Sequence, residues 1–297
     1  MKYTINEFRR DYPNDDVCLD MIFNLRYSKI PCCPQCSQET TFKRIPGRRC
    51  YQCSDKDCQY QLYPTVGTVF EKTRTSLVDW FYVIYLMTST RNGVSAKEIQ
   101  RQLGVTYKCA WRMGHQVRKI MQNGSMEEML SGVVEVDETY IGGKAQNKHK
   151  KVREKINQNG KGINSPKIAV MALLERDGNI RTQIIPEATG AVLKPIIGDL
   201  VTGGSIVITD GHRGYKGLDE SFNHNIVNHE KDEFVVGKMH TNTVEGYFSH
   251  LKRTIRGTHL HVSRKHMQKY VDECTFKYVH RKQGQKMFHT ILKRVVV

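Results

Sequence analysis

The sequence lacks the long apolar stretches that membrane proteins need. Its longest run of aromatic and aliphatic residues, WFYVIYLM at 80–87, is far shorter than the roughly 20 residues that cross a bilayer. The first residues, MKYTINEFRRDYPNDD, contain no apolar core of a secretory signal. We therefore expect a cytoplasmic protein. No sustained heptad repeat is present, so no coiled coil supports a dimer.

Acidic residues are also in short supply. The 297 residues include 46 Lys and Arg against 30 Asp and Glu, which gives a formal net charge of +16. This excess favours a polyanionic partner, above all nucleic acid. A soluble protein with a basic surface is the alternative, and a membrane-surface role is disfavoured because no strongly amphipathic basic helix stands out. The length is typical of two domains, with room for a small third one.

Cysteine is concentrated in one segment of the chain. Six of the nine cysteines lie between residues 32 and 58. Structural disulfides are rare in a cytoplasmic protein, so this clustering favours a metal site over disulfides or a set of buried thiols. Zinc takes four ligands in a closed structural site that leaves no position open for chemistry.

The expected zinc ligands come from two halves of this segment. PCCPQC supplies Cys33 and Cys36 as the first pair. The second pair is either Cys53 with Cys58 or Cys50 with Cys53. The aromatic, strand-like YQLYP after Cys58 is typical of the second hairpin of a zinc ribbon, so we favour Cys53 and Cys58.

A helix-turn-helix pattern follows the cysteines. A buried helix is expected over 76–90. Ser95 begins SAKE, which matches a capping box and starts a short helix. Gly104 then makes a tight turn, and Thr106 can cap a longer helix that ends near Met121. A short helix, a glycine turn and a basic helix are typical of DNA-binding proteins.

The second helix of this pattern carries four basic residues, Lys108, Arg112, Arg118 and Lys119. Lys108 and Arg112 are four residues apart and share a face, so we expect them to contact DNA. A plain three-helix bundle is the alternative.

From residue 133 onward the pattern changes to alternating strands and helices. VVEVDETYIGG predicts a strand, and KIAVMALLERDGNIRTQII predicts a hairpin around DGN. A helix in TGAVLKPIIGDLV, strands in SIVITD and NHNIV, and a helix in HTNTVEGYFSHLKRTIRG follow. Three strands, a helix, two strands and a helix indicate an α/β layer fold with a mixed sheet.

A basic segment separates the first two of these strands. Residues 142–168 contain eight Lys or Arg and one acid. Neither a helical nor a strand period is visible, so we expect a mobile loop suited to DNA phosphates, with Lys148, Lys150 and Lys151 as candidates. A solvated insertion is the alternative.

Three carboxylates are placed for a catalytic metal site. Asp137 and Asp210 are expected at strand ends, where sites gather in open α/β sheets, and Glu245 on a helix that packs across them. Converging carboxylates repel unless cations neutralise them, and hard oxygen ligands select Mg²⁺ or Mn²⁺. Two such ions about 4 Å apart can activate a nucleophilic oxygen and stabilise the leaving oxygen of a phosphodiester. Asp137 would bridge them.

Each acid also has a structural alternative. Asp137 could pair with a basic side chain. Asp210 could begin a turn, because Asp-Gly is a common turn dipeptide. Glu245 could close a capping box with Asn242.

Basic residues follow the third acid. Lys252 is two helical turns beyond Glu245 and shares its face, so it could hold a phosphate beside the metals. Residues 251–297 contain twelve Lys or Arg against two acids, which makes them a second candidate phosphate-binding surface that includes Arg253. A surface lysine is the alternative for Lys252.

Six segments, taken in order, closely resemble the zinc-ribbon DDE transposases of bacterial insertion sequences, a group related to the Merlin elements. They are CPQC, YQCSDKDCQYQLYPTVGTVFEKTRTSLVDWF, VSAKEIQRQLGVTYKCAWRM, VEVDETYIGGK, VITDGHRGY and HTNTVEGYFSHLKR. The resemblance covers residues 15–285. It implies an integrase-like, RNase H-type core with a magnesium-dependent acidic triad, which nicks element ends and joins the free 3′-hydroxyl to target DNA.

The resemblance also implies roles for individual residues. Asp137 and Asp210 match the first and second family aspartates, Glu245 the third acid and Lys252 the lysine after it. Some relatives use Asn or His at the third position and Asn242 is close by, but the step of seven residues to Lys252 favours Glu245. Cys32 and Cys50 are extra thiols beside the ribbon, so the zinc ligand set stays open.

The expected organisation has three parts: a helical lead-in and zinc ribbon at 1–66, a helix-turn-helix domain at 67–125, and an RNase H-like catalytic domain at 131–297 with a basic insertion at 144–166. The expected partners are double-stranded element ends and target DNA, with a homo-oligomer as the acting species, associated with the nucleoid when bound. The alternatives are a non-catalytic zinc-ribbon and helix-turn-helix DNA-binding regulator, and a nuclease of the same fold that does not join strands.

Overall fold

The chain folds into two compact units. One contains Met1–Met121 and Lys282–Val297, and the other contains Gln122–Arg281. None of the helices in the described part of the chain has the length and apolarity needed to cross a membrane. The computed structural model describes residues 3–30, 32–122, 128–143, 150, 154, 167–176, 178–227, 240–284 and 286–295.

The first unit opens with two helices, α1 (Ile5–Asp11) and α2 (Asp15–Tyr27), where the sequence predicts a helical lead-in. Three short antiparallel strands follow in the order β1 (Phe42–Arg44), β2 (Tyr51–Cys53) and β3 (Gln61–Leu62). The ring of Phe23 on α2 stacks on that of Tyr51, with centroids 3.9 Å apart. This small sheet and its cysteines form the predicted zinc ribbon.

Three further helices, α3 (Leu77–Ser89), α4 (Ala96–Leu103) and α5 (Tyr107–Met121), contain the predicted helix-turn-helix.

Local hydrogen bonds and backbone geometry set the helix-turn-helix boundaries. The Ser95 side chain accepts from the Glu98 N–H, whereas the Glu98 carboxylate bonds to Arg101 instead of completing the capping box. Gly104 ends α4 in the left-handed region, at φ 66°, which glycine adopts without steric cost. The Thr106 hydroxyl accepts the N–H of Cys109 at 3.3 Å and so caps α5 as predicted.

The second unit is built on a five-stranded mixed sheet, as predicted. The strands lie in the order β6-β5-β4-β7-β8; β4, β5 and β6 are antiparallel neighbours, while β7 is parallel to both β4 and β8. Its elements are β4 (Val133–Ile141), β5 (Ile168–Glu175), β6 (Ile180–Ile185), α6 (Gly190–Leu200), β7 (Ile206–Asp210), β8 (Asn223–Val227), α7 (Asn242–Thr254) and α8 (Arg264–Val279).

Helices cover both faces of this sheet and bury its apolar residues. On one face, Val170 and Ala172 pack with Tyr247 of α7 and Val271 of α8. On the other face, α6 packs on residues that include Val136. Alternating side chains of β4 therefore point into two separate cores, consistent with an RNase H-like layered fold.

The last helix, α9 (Lys286–Val295), belongs to the first unit. Phe288 is 2% exposed, and its ring lies among those of Phe8, Tyr12 and Phe81. The sequence assigned this segment to the catalytic domain, whereas in the structure its apolar face completes the aromatic core of the first unit.

Candidate active site and zinc centre

Four cysteines meet at the tip of the ribbon. The sulfur atoms of Cys33, Cys36, Cys53 and Cys58 all lie within 4.8 Å of one another. The structure therefore brings together the pair that we favoured and leaves out Cys50, which is fully buried elsewhere in the core. Among the described residues, no other group of cysteines, histidines and carboxylates has ligand atoms this close together.

The thiols of this quartet influence one another's ionisation. Burial opposes ionisation of Cys33, but the N–H groups of Cys36 and Gln35 outweigh it and lower the pKa of Cys33 to about 7. At Cys58 the Tyr60 N–H favours the thiolate, but burial and the neighbouring thiols outweigh that bond and raise the pKa to about 12. The pKa of Cys33 is lowered, while those of Cys36 and Cys58 are raised, so the quartet fits a cation that stabilises several thiolates together.

Asp137 lies in the middle of β4, so the prediction that it ends its strand is wrong. Antiparallel pairing with β5 continues along β4 past Asp137. Parallel pairing with β7 stops earlier, at Glu135 opposite Ile208. The strand covers most of the predicted segment VVEVDETYIGG, and Asp137 lies at its centre.

Asp210 ends β7 as predicted. It lies two residues beyond Ile208, just as Asp137 lies two residues beyond Glu135. Because side chains alternate and parallel neighbours are about 4.8 Å apart, the two aspartates lie side by side on one face of the sheet.

Glu245 lies in the first turn of α7, which packs over that same face. Its side chain is exposed and accepts a hydrogen bond from the Thr241 hydroxyl at 3.1 Å. The alternative capping box does not form, because Thr241 is the N-cap residue and Asn242 is the first residue of the helix.

Asp210 and Glu245 both lie close enough to Asp137 to oppose its ionisation. Burial, the largest cause, raises the pKa of Asp137 to about 7. A bond from the Glu138 N–H partly opposes this, and the negative charges of Glu138, Asp210 and Glu245 raise the pKa further. A buried carboxylate with other carboxylates nearby is hard to ionise, and a bound cation would offset both effects.

A fourth acid, Glu138, faces the opposite side of β4. Burial raises its pKa, the Tyr215 hydroxyl that donates to it opposes the rise, and Asp210 adds to it. The Nδ1 atom of His212 lies 3.7 Å from its carboxylate. Sequence reasoning assigned Glu138 no role, although its position next to Asp137 in VDETY was the available signal.

The predicted basic residues fall into different environments. Lys252 is half-buried on α7, two turns beyond Glu245, and Arg253 is exposed beside it. Lys150 is exposed, whereas Lys148, Lys151 and nearly all of the basic insertion lie outside the described residues.

On α5, Lys108 and Arg112 are exposed, as a DNA-contacting face requires. Arg118 is not part of that face: it is 2% exposed and donates to the Val94 carbonyl at 3.4 Å, so its guanidinium joins α5 to the start of the helix-turn-helix. The sequence alone does not show whether a basic residue on a helix faces the solvent or the core.

Comparisons with known proteins show that a chain with this ribbon and this mixed sheet is a transposase of the DDE class. Residues 129–278 match the ISXO2-like transposase domain, and residues 13–61 match the transposase zinc-ribbon domain. The chain therefore belongs to the ISXO2-like transposase family.

Two relatives are similar to it. One is an uncharacterized protein in transposable element ISH50 of Halobacterium salinarum, 28% identical over 283 residues, which are 92% of this chain and 94% of that protein. The other is an uncharacterized transposase-like protein of Haemophilus influenzae, 31% identical over 100 residues, which are 33% of this chain and 80% of that protein. The predicted transposase family is confirmed. The Merlin relationship and a bacterial origin stay predictions, since the relative matched over most of the chain is archaeal.

Proposed function

We propose that this transposase binds the terminal repeats of its own element, cleaves DNA strands there and joins the free 3′-hydroxyl to target DNA. The observation that carries the proposal is the arrangement of three elements: Asp137 and Asp210 lie on one face of neighbouring strands, and Glu245 lies in the first turn of the helix that packs over that face. Three segments distant in sequence supply these acids, and their oxygen atoms are the ligands that Mg²⁺ and Mn²⁺ prefer.

The division of work within the acid cluster follows from the elements that carry it. Asp137 and Asp210 project from neighbouring strands of a rigid sheet, and Glu245 approaches from a helix. When bound, two divalent ions would supply stabilisation of the attacking and leaving oxygen atoms of a phosphodiester. Lys252, on the same face of α7 as Glu245, holds a non-bridging phosphate oxygen.

The first unit supplies recognition in this proposal. Cys33, Cys36, Cys53 and Cys58 hold a structural Zn²⁺ that fixes the ribbon. The exposed face of α5 contacts the terminal repeat, with Lys108 and Arg112 as phosphate or base contacts. Arg253 and the basic insertion neutralise further phosphates of element or target DNA.

A strand-joining assay tests the proposal. The full chain is incubated with Mg²⁺, a pre-nicked element end and a target plasmid, and joined product is measured beside cleavage of an intact end. We expect both products from the wild type, a loss of about 10³-fold or more from Asp137→Asn, and end binding that persists in a gel shift. The exposed Asp219 of the same unit supplies the matched control Asp219→Asn, which keeps both activities.

The other outcomes separate the alternatives. Cleavage without joined product indicates a nuclease. Specific end binding with neither product indicates the regulator. Full activity of Asp137→Asn rejects the acid cluster as the catalytic site.

A further inference from the structure

Glu135 is a buried carboxylate that the catalytic proposal does not use. It lies on β4, two residues before Asp137, and its side chain is fully buried. It accepts the backbone N–H of Thr243 at 3.0 Å and that of Val244 at 3.1 Å. A strand residue therefore binds the first turn of the helix that carries Glu245.

These two N–H groups are the ones that a local N-cap normally satisfies. The first four N–H groups of a helix have no partner within it, and an N-cap side chain accepts from the second or third helical residue. In α7 those residues are Thr243 and Val244, and the N-cap Thr241 makes no such bond. Glu135 takes its place from the sheet, with its negative charge at the positive end of the helix dipole.

Arg176 completes the connection. Its Nε lies 2.8 Å from the Glu135 carboxylate, and its Nη2 donates to the His240 carbonyl at 2.9 Å. The Thr243 hydroxyl donates to Glu135 as well, at 2.9 Å. The segment entering α7 and the first turn of α7 are thus both held to the sheet through the ion pair between the buried Glu135 and the partly exposed Arg176.

An ion pair with one fully buried partner adds little net stability, since apolar residues of similar volume often stabilise a fold as well. Its contribution is to position two elements relative to each other. Glu135 is two residues from Asp137 on β4, and it bonds to the first turn of α7, which carries Glu245.

We propose that Glu135 is a positioning residue, which sets the distance and angle at which Glu245 meets Asp137 and thereby the affinity of the acid cluster for divalent cations. This inference rests on the proposed function, because it assumes that the cluster binds such cations. Partners that orient metal ligands typically change metal affinity by about 10- to 100-fold when they are removed.

The test compares three variants of the full chain. Glu135→Gln keeps the shape but places an amide NH₂ against N–H donors. Arg176→Lys is milder, since it keeps the charge and loses the fork that reaches His240. The matched control is Glu273→Gln, which removes another buried, ion-paired carboxylate of the same unit, 3.1 Å from Lys277.

Three readouts are needed: amide exchange of Thr243 and Val244 without metal, Mn²⁺ affinity by electron paramagnetic resonance, and the Mn²⁺ concentration that half-saturates cleavage. In Glu135→Gln we expect exchange at those amides to accelerate about tenfold or more, and the dissociation constant and half-saturating concentration for Mn²⁺ to rise about tenfold. Arg176→Lys shifts all three in the same direction by less. Glu273→Gln shifts none.

Unchanged Mn²⁺ affinity in Glu135→Gln overturns the inference, and so does a loss of folded protein with an unchanged half-saturating concentration, since that is a structural role only. If Glu135→Gln does not fold, Arg176→Lys decides by the same criteria. Failure of the proposed function looks different: the wild type then binds no Mn²⁺ at Asp137, while the metal-free exchange result still reports on the connection between Glu135 and α7.

Discussion

The molecule contains two groups of side chains of the kinds that bind metal ions, one in each unit, and they are built in opposite ways. The cysteine quartet has all four sulfur atoms within 4.8 Å of one another, with Cys53 at the end of a strand of the small sheet and the other three outside its strands. The acid cluster draws Asp137, Asp210 and Glu245 from two strands and a helix, and in the described residues it does not form a comparably tight group.

This difference separates a structural site from a catalytic one. Four protein ligands close the coordination sphere of zinc, so nothing remains for a substrate. Three carboxylates that meet over one face of a sheet leave positions for phosphate oxygens and for an attacking group. The closed site should therefore govern folding and DNA recognition, and the open site should govern chemistry. The predictions below test this separation, beginning with the largest effect.

Removing one thiol should unfold the ribbon. We expect Cys36→Ser to lose its zinc, and with it binding energy on the order of 10 kcal/mol that is coupled to folding. Zinc content, measured by elemental analysis, should fall from one ion per chain to none, and binding to element ends should be lost. Cys32→Ser, a neighbouring thiol outside the quartet, should keep its zinc. Zinc retained by Cys36→Ser contradicts the closed site.

Removing one carboxylate should leave folding intact and stop chemistry. Glu245→Gln should slow cleavage by about 10³-fold, which is about 4 kcal/mol of transition-state stabilisation. Asn242→Ala should stay within a few-fold of the wild type. Single-turnover cleavage rates at saturating Mg²⁺ make this comparison. If Asn242→Ala slows cleavage by about 10³-fold and Glu245→Gln does not, Asn242 is the third ligand.

Without bound metal ions, the ionised acid cluster should lower the free energy of unfolding. The pKa of Asp137 is about 7 in the folded chain, above its ordinary value of 3.8, so the folded state holds this proton more tightly than the unfolded state. The free energy of unfolding that this group contributes therefore falls as the pH rises from about 4 to about 7 and is constant above that.

Asp137→Asn should remove this pH dependence. Without divalent ions, its stability advantage over the wild type should grow by about 2 kcal/mol between pH 5 and pH 7. Denaturant titrations at both pH values measure this change. Mg²⁺ at pH 8 should then stabilise the wild type and not the variant. An advantage that does not change with pH would show that Asp137 ionises normally.

Single DNA contacts on α5 should have the smallest effects. Arg112→Ala should weaken end binding by about 1 kcal/mol and lower the salt dependence of binding by about one unit if it contacts a phosphate. Loss of discrimination against altered repeats would instead indicate a base contact. Lys119→Ala, an exposed residue of the last turn, serves as the comparison. If both variants weaken end binding equally, the face of α5 that carries Lys108 and Arg112 is not the specific DNA-contacting face.

The sequence predicted the elements of both units well because their signals are local. Thr106 and Gly104 set the ends of helices through their own backbone geometry and hydrogen bonds, and the hairpin predicted around DGN is formed by β5 and β6. The cysteine quartet could be predicted because cysteines at the spacing typical of a zinc ribbon rarely have another role.

Features that depend on distant partners were not accessible from the sequence. Asp137 was placed at a strand end, but pairing with β7 stops at Glu135 while pairing with β5 continues to Ile141, and the sequence does not show this difference. Glu135 is identical in kind to its neighbour Glu138, yet one caps a helix and the other binds a tyrosine. Phe288 lies far along the chain from the aromatic core that it completes.

The central claim is that Asp137, Asp210 and Glu245 hold divalent cations together. Crystals of the full chain soaked in Mn²⁺ test it directly, since anomalous scattering locates each ion independently of the protein. The account predicts anomalous peaks within bonding distance of carboxylate oxygens from all three residues, and none there in Asp137→Asn crystals. Manganese bound elsewhere, or Asp137 paired with a basic side chain in a site without metal, would contradict it.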